Sequence, residues 1–182
     1  DKILWLHVAS LGEFEQGRPI VEQVRKEHPE HKILLTFFSP SGYEIRKNYE
    51  GADYIFYLPI DTPRNVKRFL DIAHPEIAIF VKYEFWLNYL YELKARNIRT
   101  FVISAIFRQD SVFFKWYGSR WRQALDSYEQ IFVQNEESKE LLEAQIRAYI
   151  GRNATLDYSG YYSNIYVIDP TMLKALEVLE NN

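Results

Sequence analysis

Short runs rich in β-branched and aromatic residues recur along this chain at intervals of roughly 20 to 30 residues, with amphipathic segments between them. That alternation constrains the fold most, because strand, helix and strand in succession bury their apolar faces as βαβ units. The runs predict strands over 3–10, 32–38, 53–58, 76–82, 99–105 and 128–134, and helices over 17–28, 41–49, 62–73, 86–97, 112–126 and 136–149. Ile77-Ala78-Ile79-Phe80-Val81 and Phe101-Val102-Ile103 are apolar without interruption, as strands covered by helices on both faces are. The expected class is α/β, with a Rossmann-like, doubly wound parallel sheet. Right-handed crossovers and the strand order 3-2-1-4-5-6 set the first and fourth strands side by side, their helices leaving in opposite directions. The carboxyl ends of those two strands then frame one crevice.

Ser10, Gly12 and Glu13 follow the first strand, and Lys82, Tyr83 and Glu84 follow the fourth. Two carboxylates thereby approach one rim. A glutamate within hydrogen-bond reach can take the proton of an attacking hydroxyl, and burial or a second carboxylate raises its pKa toward a useful range, against the pull of Lys82. A structural alternative stands beside this one: Glu13 caps the helix that follows, and Glu84 is a solvated loop acid. Ser39-Pro40-Ser41-Gly42, after the second strand, offers hydroxyls and backbone N–H groups suited to an anionic or sugar ligand, or else forms a plain N-cap and turn. Pro19 and Pro63 fall where a first-turn proline is tolerated.

Other chemistries find no footing. With 182 residues, 47% of them hydrophobic, the chain can bury a sizeable core, but its net charge of -3 gives no global case for nucleic acid. Zero cysteines exclude disulfides and thiolate metal sites and fit a reducing compartment. His7, His28, His31 and His74 form no i, i+4 pair, so no metal site is expected; His7 reads as a satisfied residue of the core or the cleft wall. Neither G-x-G-x-x-G nor G-x-x-x-x-G-K follows a strand, so neither NAD nor ATP is indicated and no cofactor is expected. Ser10 lacks the G-x-S-x-G context of a hydrolase nucleophile.

No apolar run is long enough to span a bilayer. Residues 113–122 interleave aromatics with Lys115, Arg120 and Arg122, a composition suited to a headgroup layer or an anionic amphiphile. Lys115, Trp116, Arg120 and Trp121 are the candidate membrane or lipid contacts, and Arg64, Lys67 and Arg68 add a second basic face. In the alternative reading Phe113, Trp116 and Trp121 belong to the core while the cations sit in water. The start at Asp1, just before a central strand, points to residues upstream. Past Glu143 the pattern degrades through a loop at 151–155 and a polar aromatic cluster at 158–164, before a short strand at 165–168 and a helix begun by Asp169-Pro170-Thr171. The expected organisation is a Rossmann-like lobe over 1–143 and a divergent segment over 144–182, packed back on the lobe.

Ile3-Leu4-Trp5-Leu6-His7-Val8-Ala9-Ser10-Leu11-Gly12-Glu13-Phe14-Glu15-Gln16-Gly17, with Phe38-Ser39-Pro40-Ser41-Gly42 and Tyr57-Leu58-Pro59-Ile60-Asp61, closely resembles the amino-terminal half of the 3-deoxy-D-manno-octulosonic acid (Kdo) transferases. Val81-Lys82-Tyr83-Glu84-Phe85-Trp86-Leu87-Asn88 resembles that family's E-x-W-P-N segment, and Val133-Gln134-Asn135-Glu136-Glu137 its Q-(N/T)-E-E turn. The resemblance implies the acceptor lobe of a GT-B glycosyltransferase moving Kdo from CMP-Kdo to a lipid A precursor at the cytoplasmic face of a Gram-negative inner membrane. It makes Glu13 the general base of a single inverting displacement, and places Ser41, Gly42, Lys82 and Glu84 on the acceptor side, where the end of the first strand adds Ser10 and Gly12 as candidate substrate contacts. Leu87 stands where the family usually has proline, and Ile106-Phe107-Arg108-Gln109 replaces its common Arg-Leu-Ser-Glu. Residues 144–182 do not match the family's linker, and the CMP-binding lobe falls outside this chain, which alone is expected to be inactive. Two rivals remain: a GT-B enzyme with another nucleotide-sugar donor, and a non-catalytic module that binds an anionic lipid or sugar.

Overall fold

Seven strands lie parallel in one sheet in the computed structural model, which describes residues 2–152 and 165–167. They are β1 (Ile3–Val8), β2 (Lys32–Phe37), β3 (Tyr54–Tyr57), β4 (Ile77–Val81), β5 (Arg99–Ala105), β6 (Gln130–Val133) and β7 (Ile165–Val167), in the order β3-β2-β1-β4-β5-β6-β7. The helices are α1 (Leu11–Glu27), α2 (Pro40–Arg46), α3 (Pro63–Ala73), α4 (Leu87–Ala95), α5 (Ser119–Leu125) and α6 (Glu136–Arg152). The topology is the expected doubly wound one, and β1 pairs with both β2 and β4. The strand expected at 165–168 forms over Ile165–Val167 and pairs with β6. The helix expected from Asp169 and the aromatic cluster at 158–164 lie outside the described residues.

Side-chain alternation along each strand builds two cores. Leu4, Leu6, Val8, Ile33, Leu35, Phe37, Ile79 and Val81 face one side, where α1 covers them with Phe14, Ile20, Val21 and Val24. Trp5, Leu34, Ala78, Phe80 and Val102 face the other, under Val66 and Leu70 of α3 and Tyr89, Leu90 and Leu93 of α4. Burying both faces at once explains why these strands carry so few polar residues. His7 and Thr36 are the polar members of β1 and β2 that are fully buried.

Two helices depart from expectation. α1 begins at Leu11 rather than Gly17, so Pro19 is interior to it and not in its first turn. An interior proline costs about 3 kcal/mol. The buried stripe of Phe14, Gly17, Ile20, Val21 and Val24, together with the cap at Ser10, outweighs that cost. The helix expected over 112–126 is broken into a 3-10 turn at Val112–Phe114 and α5. Between them the chain turns back on itself: a Cβ on Gly118 would lie 1.9 Å from the Val112 carbonyl oxygen. Arg122 holds the turn by donating from Nη1 to the carbonyls of Phe113 (2.8 Å) and Lys115 (2.9 Å).

Candidate active site

The crevice at the carboxyl edge begins with the first turn of α1. Ser10 is its N-cap and accepts from the Glu13 N–H (3.4 Å), while Glu13 Oε2 reaches back to accept from the Ala9 N–H at 2.6 Å. Ser10-Leu11-Gly12-Glu13 spells a capping box, with the carboxylate bonding one residue further back than the N-cap, at Ala9. Glu13 therefore does cap its helix, as the structural alternative holds, and that bond also fixes its carboxylate at the rim. Above it Gly12 is exposed, with nothing within 4 Å of where its Cβ would stand.

Burial raises the Glu13 pKa above the ordinary carboxylate value; the Ala9 N–H opposes this, the charge of Glu84 adds to it, and Lys82 lowers it. β1 and β4 are parallel neighbours, so their carboxyl ends deliver Glu13 and Glu84 to one rim, and the two charges act on each other there. Lys82 turns the chain out of β4 with φ of 65°, its N–H donating to the Ile103 carbonyl at 2.9 Å. A non-glycine residue in that left-handed region costs roughly 1–2 kcal/mol. The turn sends the next two residues back over the strand end.

Glu84 is not a solvated loop acid. It is 8% exposed, and its Oε2 accepts from His7 Nε2 at 3.1 Å and from Trp86 Nε1. The proton on His7 follows from the chain behind it. Trp5 Nε1 can only donate, and it donates to Thr36 Oγ1 at 2.8 Å. The Thr36 hydroxyl is then placed to donate to His7 Nδ1, 2.9 Å away, which leaves Nε2 carrying the proton that faces Glu84. Tyr128, buried and held well above the ordinary phenol pKa by burial and by Glu84, donates its hydroxyl to the Glu84 carbonyl (3.4 Å). Phe38 packs against Trp86 with the rings tilted and their centroids 4.9 Å apart.

Ser39, Ser41 and Gly42 stand at the start of α2. The Ser39 N–H donates to the Ala9 carbonyl at 2.7 Å, joining the ends of β2 and β1, and Ser39 Oγ lies 2.8 Å from Ser41 Oγ. A Cβ on Gly42 would meet the Phe37 ring at 2.4 Å and the Leu11 nitrogen at 3.1 Å, so glycine lets the starts of α1 and α2 close together. Ser10, Gly12, Glu13, Ser41, Gly42, Lys82 and Glu84 thus share the carboxyl edge of β1, β2 and β4. Lys115, Trp116, Arg120 and Trp121 stand further along that edge, where Phe113 packs on Phe85, the residue after Glu84, with ring centroids 4.7 Å apart. They follow β5, on a segment tied to α4 by the Tyr91 hydroxyl, which donates to the Arg120 carbonyl at 2.7 Å. Trp116 is 91% exposed, whereas Trp121 packs edge-on against Phe113.

Sequence reasoning passes over His7, Trp86 and Asp61 as functional residues. Asp61 lies before α3, yet its carboxylate accepts from the Asn88 and Tyr89 N–H groups, both at 3.2 Å. It thereby caps α4, whose own N-cap, Trp86, supplies no side-chain bond.

A family model described as 3-deoxy-D-manno-octulosonic-acid transferase (kdotransferase) matches residues 1–150. The chain belongs to the Kdo transferase family. Among its curated relatives, the 3-deoxy-D-manno-octulosonic acid transferase of Aquifex aeolicus is 38% identical over 52% of this chain and 26% of the relative. That of Haemophilus influenzae is 33% identical over 56% of this chain and 24% of the relative, and that of Chlamydia trachomatis 31% over 72% and 34%. The matches thus span about a quarter to a third of these relatives' own length. Among solved structures, UDP-GlcNAc 2-epimerase from Neisseria meningitidis superposes with a TM-score of 0.59 at 15% identity, covering 100% of this chain and 51% of the other. The enzyme from Methanocaldococcus jannaschii gives 0.60 at 13%, covering 99% and 50%. At such identities the likeness is one of fold, a Rossmann-like lobe of the GT-B kind. Among the described residues no helix is long and apolar enough to cross a membrane.

Proposed function

We propose that this lobe binds the acceptor in a glycosyltransferase that moves Kdo from CMP-Kdo to a lipid A precursor. The observation that carries the reading is the state of Glu13: half-buried, its pKa raised by burial and by Glu84, and anchored by the Ala9 N–H beside the open space over Gly12. A carboxylate held this way is a general base fixed in place before the acceptor arrives. Glu13 takes the proton of an acceptor sugar hydroxyl as that oxygen bonds to the anomeric carbon of Kdo. The bond from that carbon to the CMP phosphate breaks in the same step, and configuration inverts. Glu84 adds to the burial that raises the Glu13 pKa, and Lys82 with Ser41 lines the acceptor side. Lys115, Trp116, Arg120 and Trp121, further along the same edge, form the surface for the lipid and the cytoplasmic face of the inner membrane.

The test joins this lobe to the donor-binding lobe of a relative and measures CMP release from CMP-Kdo with a lipid A precursor. Release that depends on the acceptor and is lost in Glu13→Ala supports the reading. Release unchanged by Glu13→Ala rejects the base. Absence of release together with lipid binding that Glu13→Ala leaves intact identifies a non-catalytic binding module instead, and release from a UDP-sugar alone identifies a different donor.

A further inference from the structure

The opposite, amino-terminal edge of the sheet carries a second cluster of ligating groups. α1 passes into β2 through the turn His28-Pro29-Glu30-His31, closed by the His31 N–H donating to the His28 carbonyl at 3.0 Å. Pro29 occupies the second place of this turn, where its fixed φ holds the backbone ready. Both imidazoles converge on one carboxylate oxygen: His28 Nδ1 lies 3.5 Å from Glu30 Oε1, and His31 Nδ1 lies 3.2 Å from the same atom. The three ligand atoms fall within 4.8 Å of one another. They sit on the rim of a hollow of about 670 Å³ that Lys2 and Glu76 also border.

We infer that His28, Glu30 and His31 form a zinc site, with the fourth position open to water. A tetrahedral Zn²⁺ with bonds of about 2.0–2.2 Å separates neighbouring ligands by about 3.3–3.6 Å; the His28 distance of 3.5 Å stands at that spacing and the His31 distance of 3.2 Å just below it before any ion enters. His31 supplies a second, independent indication. Its side chain is only 14% exposed, and its Nδ1 is buried without a hydrogen-bond partner although Glu30 is beside it. A nitrogen facing a carboxylate but not bonding to it is one whose lone pair can take an ion between them. At the opposite edge of the same ring His31 Nε2 lies 3.8 Å from Glu76 Oε2, beyond hydrogen-bond distance but within a small side-chain movement of the outer-carboxylate position that fixes a zinc-bound imidazole. Arg99, also on the rim, is neutralised by its two-point pairing with Glu129 at 2.8 and 2.9 Å. Two imidazoles and one carboxylate suit Zn²⁺ over Mg²⁺ or Ca²⁺, which take oxygen ligands. The site is remote from Glu13 and independent of the sugar-transfer reading.

The test uses tag-free protein freed of metal by chelation, titrated with Zn²⁺ in a calorimeter and with Co²⁺ as a visible-absorption probe. One equivalent of Zn²⁺ is expected to bind and to raise the melting temperature, and Co²⁺ to show four-coordinate d–d bands. Glu76→Gln should weaken binding about 10–100-fold; Glu30→Gln, at an exposed position, and His28→Ala, at the half-buried end of α1, should abolish it with the unliganded melting temperature kept within a few degrees. Absence of Zn²⁺ heat, or a site that survives His28→Ala and Glu30→Gln together, overturns the inference and leaves two histidine–glutamate contacts.

Discussion

His7 Nε2 lies 3.1 Å from Glu84 Oε2 across 77 positions of sequence, both groups buried, and this contact holds the second acid of the rim in place. Replacing His7 by Phe keeps a ring in the core but removes the donor, leaving Glu84 with Trp86 alone. A hydrogen bond to a charged group contributes about 1.5–3 kcal/mol, and His7→Phe should lose that much in urea denaturation. His7→Gln, which can still donate, should lose less. A change below about 0.5 kcal/mol, the range of surface substitutions, would show that Glu84 does not depend on His7.

Glu13→Gln separates catalysis from folding. The amide oxygen still accepts from the Ala9 N–H, but the charge beside Glu84 is gone. Because the folded pKa of Glu13 is raised above 4.5, the group's favourable contribution is complete below the unfolded pKa and is lost as pH rises through the folded value. The Gln variant should therefore match or exceed the parent in stability at neutral pH, and this advantage should vanish below about pH 4.5. Transfer should fall about 10²–10⁴-fold, and the acid limb of the parent's pH–rate profile should disappear. An unchanged limb would assign it to another group.

Much of this arrangement is legible in the chain. The order of β1 to β6 follows from apolar runs at βαβ spacing, and from it the meeting of Glu13 and Glu84. What eluded the sequence depends on contacts between distant segments. The pairing of His7 with Glu84 needs β1, β2 and β4 in register, since Thr36 of β2 sets the tautomer. The start of α1 was nonetheless written in Ser10-Leu11-Gly12-Glu13, a capping-box spelling that Gly12 and Pro19 obscure as poor helix formers. The histidine spacing conceals the cluster at residues 28–31 for a related reason: i, i+4 pairs report on helices, whereas a β-turn gathers residues i and i+3.

Asp61 shows how a distant loop can tune the rim. Its carboxylate caps α4, and α4 begins directly after Glu84-Phe85-Trp86. Asp61→Ala should cost about 1–2 kcal/mol, as the loss of a strong N-cap does, and should also reduce transfer because the Glu84 loop loses its anchor. Asp61→Asn, keeping one oxygen acceptor, should fall between. Thermal melts paired with the transfer assay distinguish these outcomes, and an Asp61→Ala variant as stable as the parent would dismiss the cap.

Trp116 and Trp121 are five residues apart but should respond to substitution in opposite ways. Trp116 is 91% exposed beside exposed Tyr117, with its neighbours Lys115 and Arg120 able to meet phosphate. A bare indole in water gains by moving into a headgroup layer, where its ring is buried and its N–H still finds a partner. Trp116→Ala should leave the melting temperature unchanged and weaken co-sedimentation with vesicles containing phosphatidylglycerol, and Arg120→Ala should do so more at low salt than at high. Trp121 packs on Phe113, so Trp121→Ala should instead lose about 1–3 kcal/mol of stability. If vesicle binding survives the loss of Trp116 and Arg120 together, the lipid contact lies elsewhere, and the basic face of Arg64, Lys67 and Arg68 is the next to test.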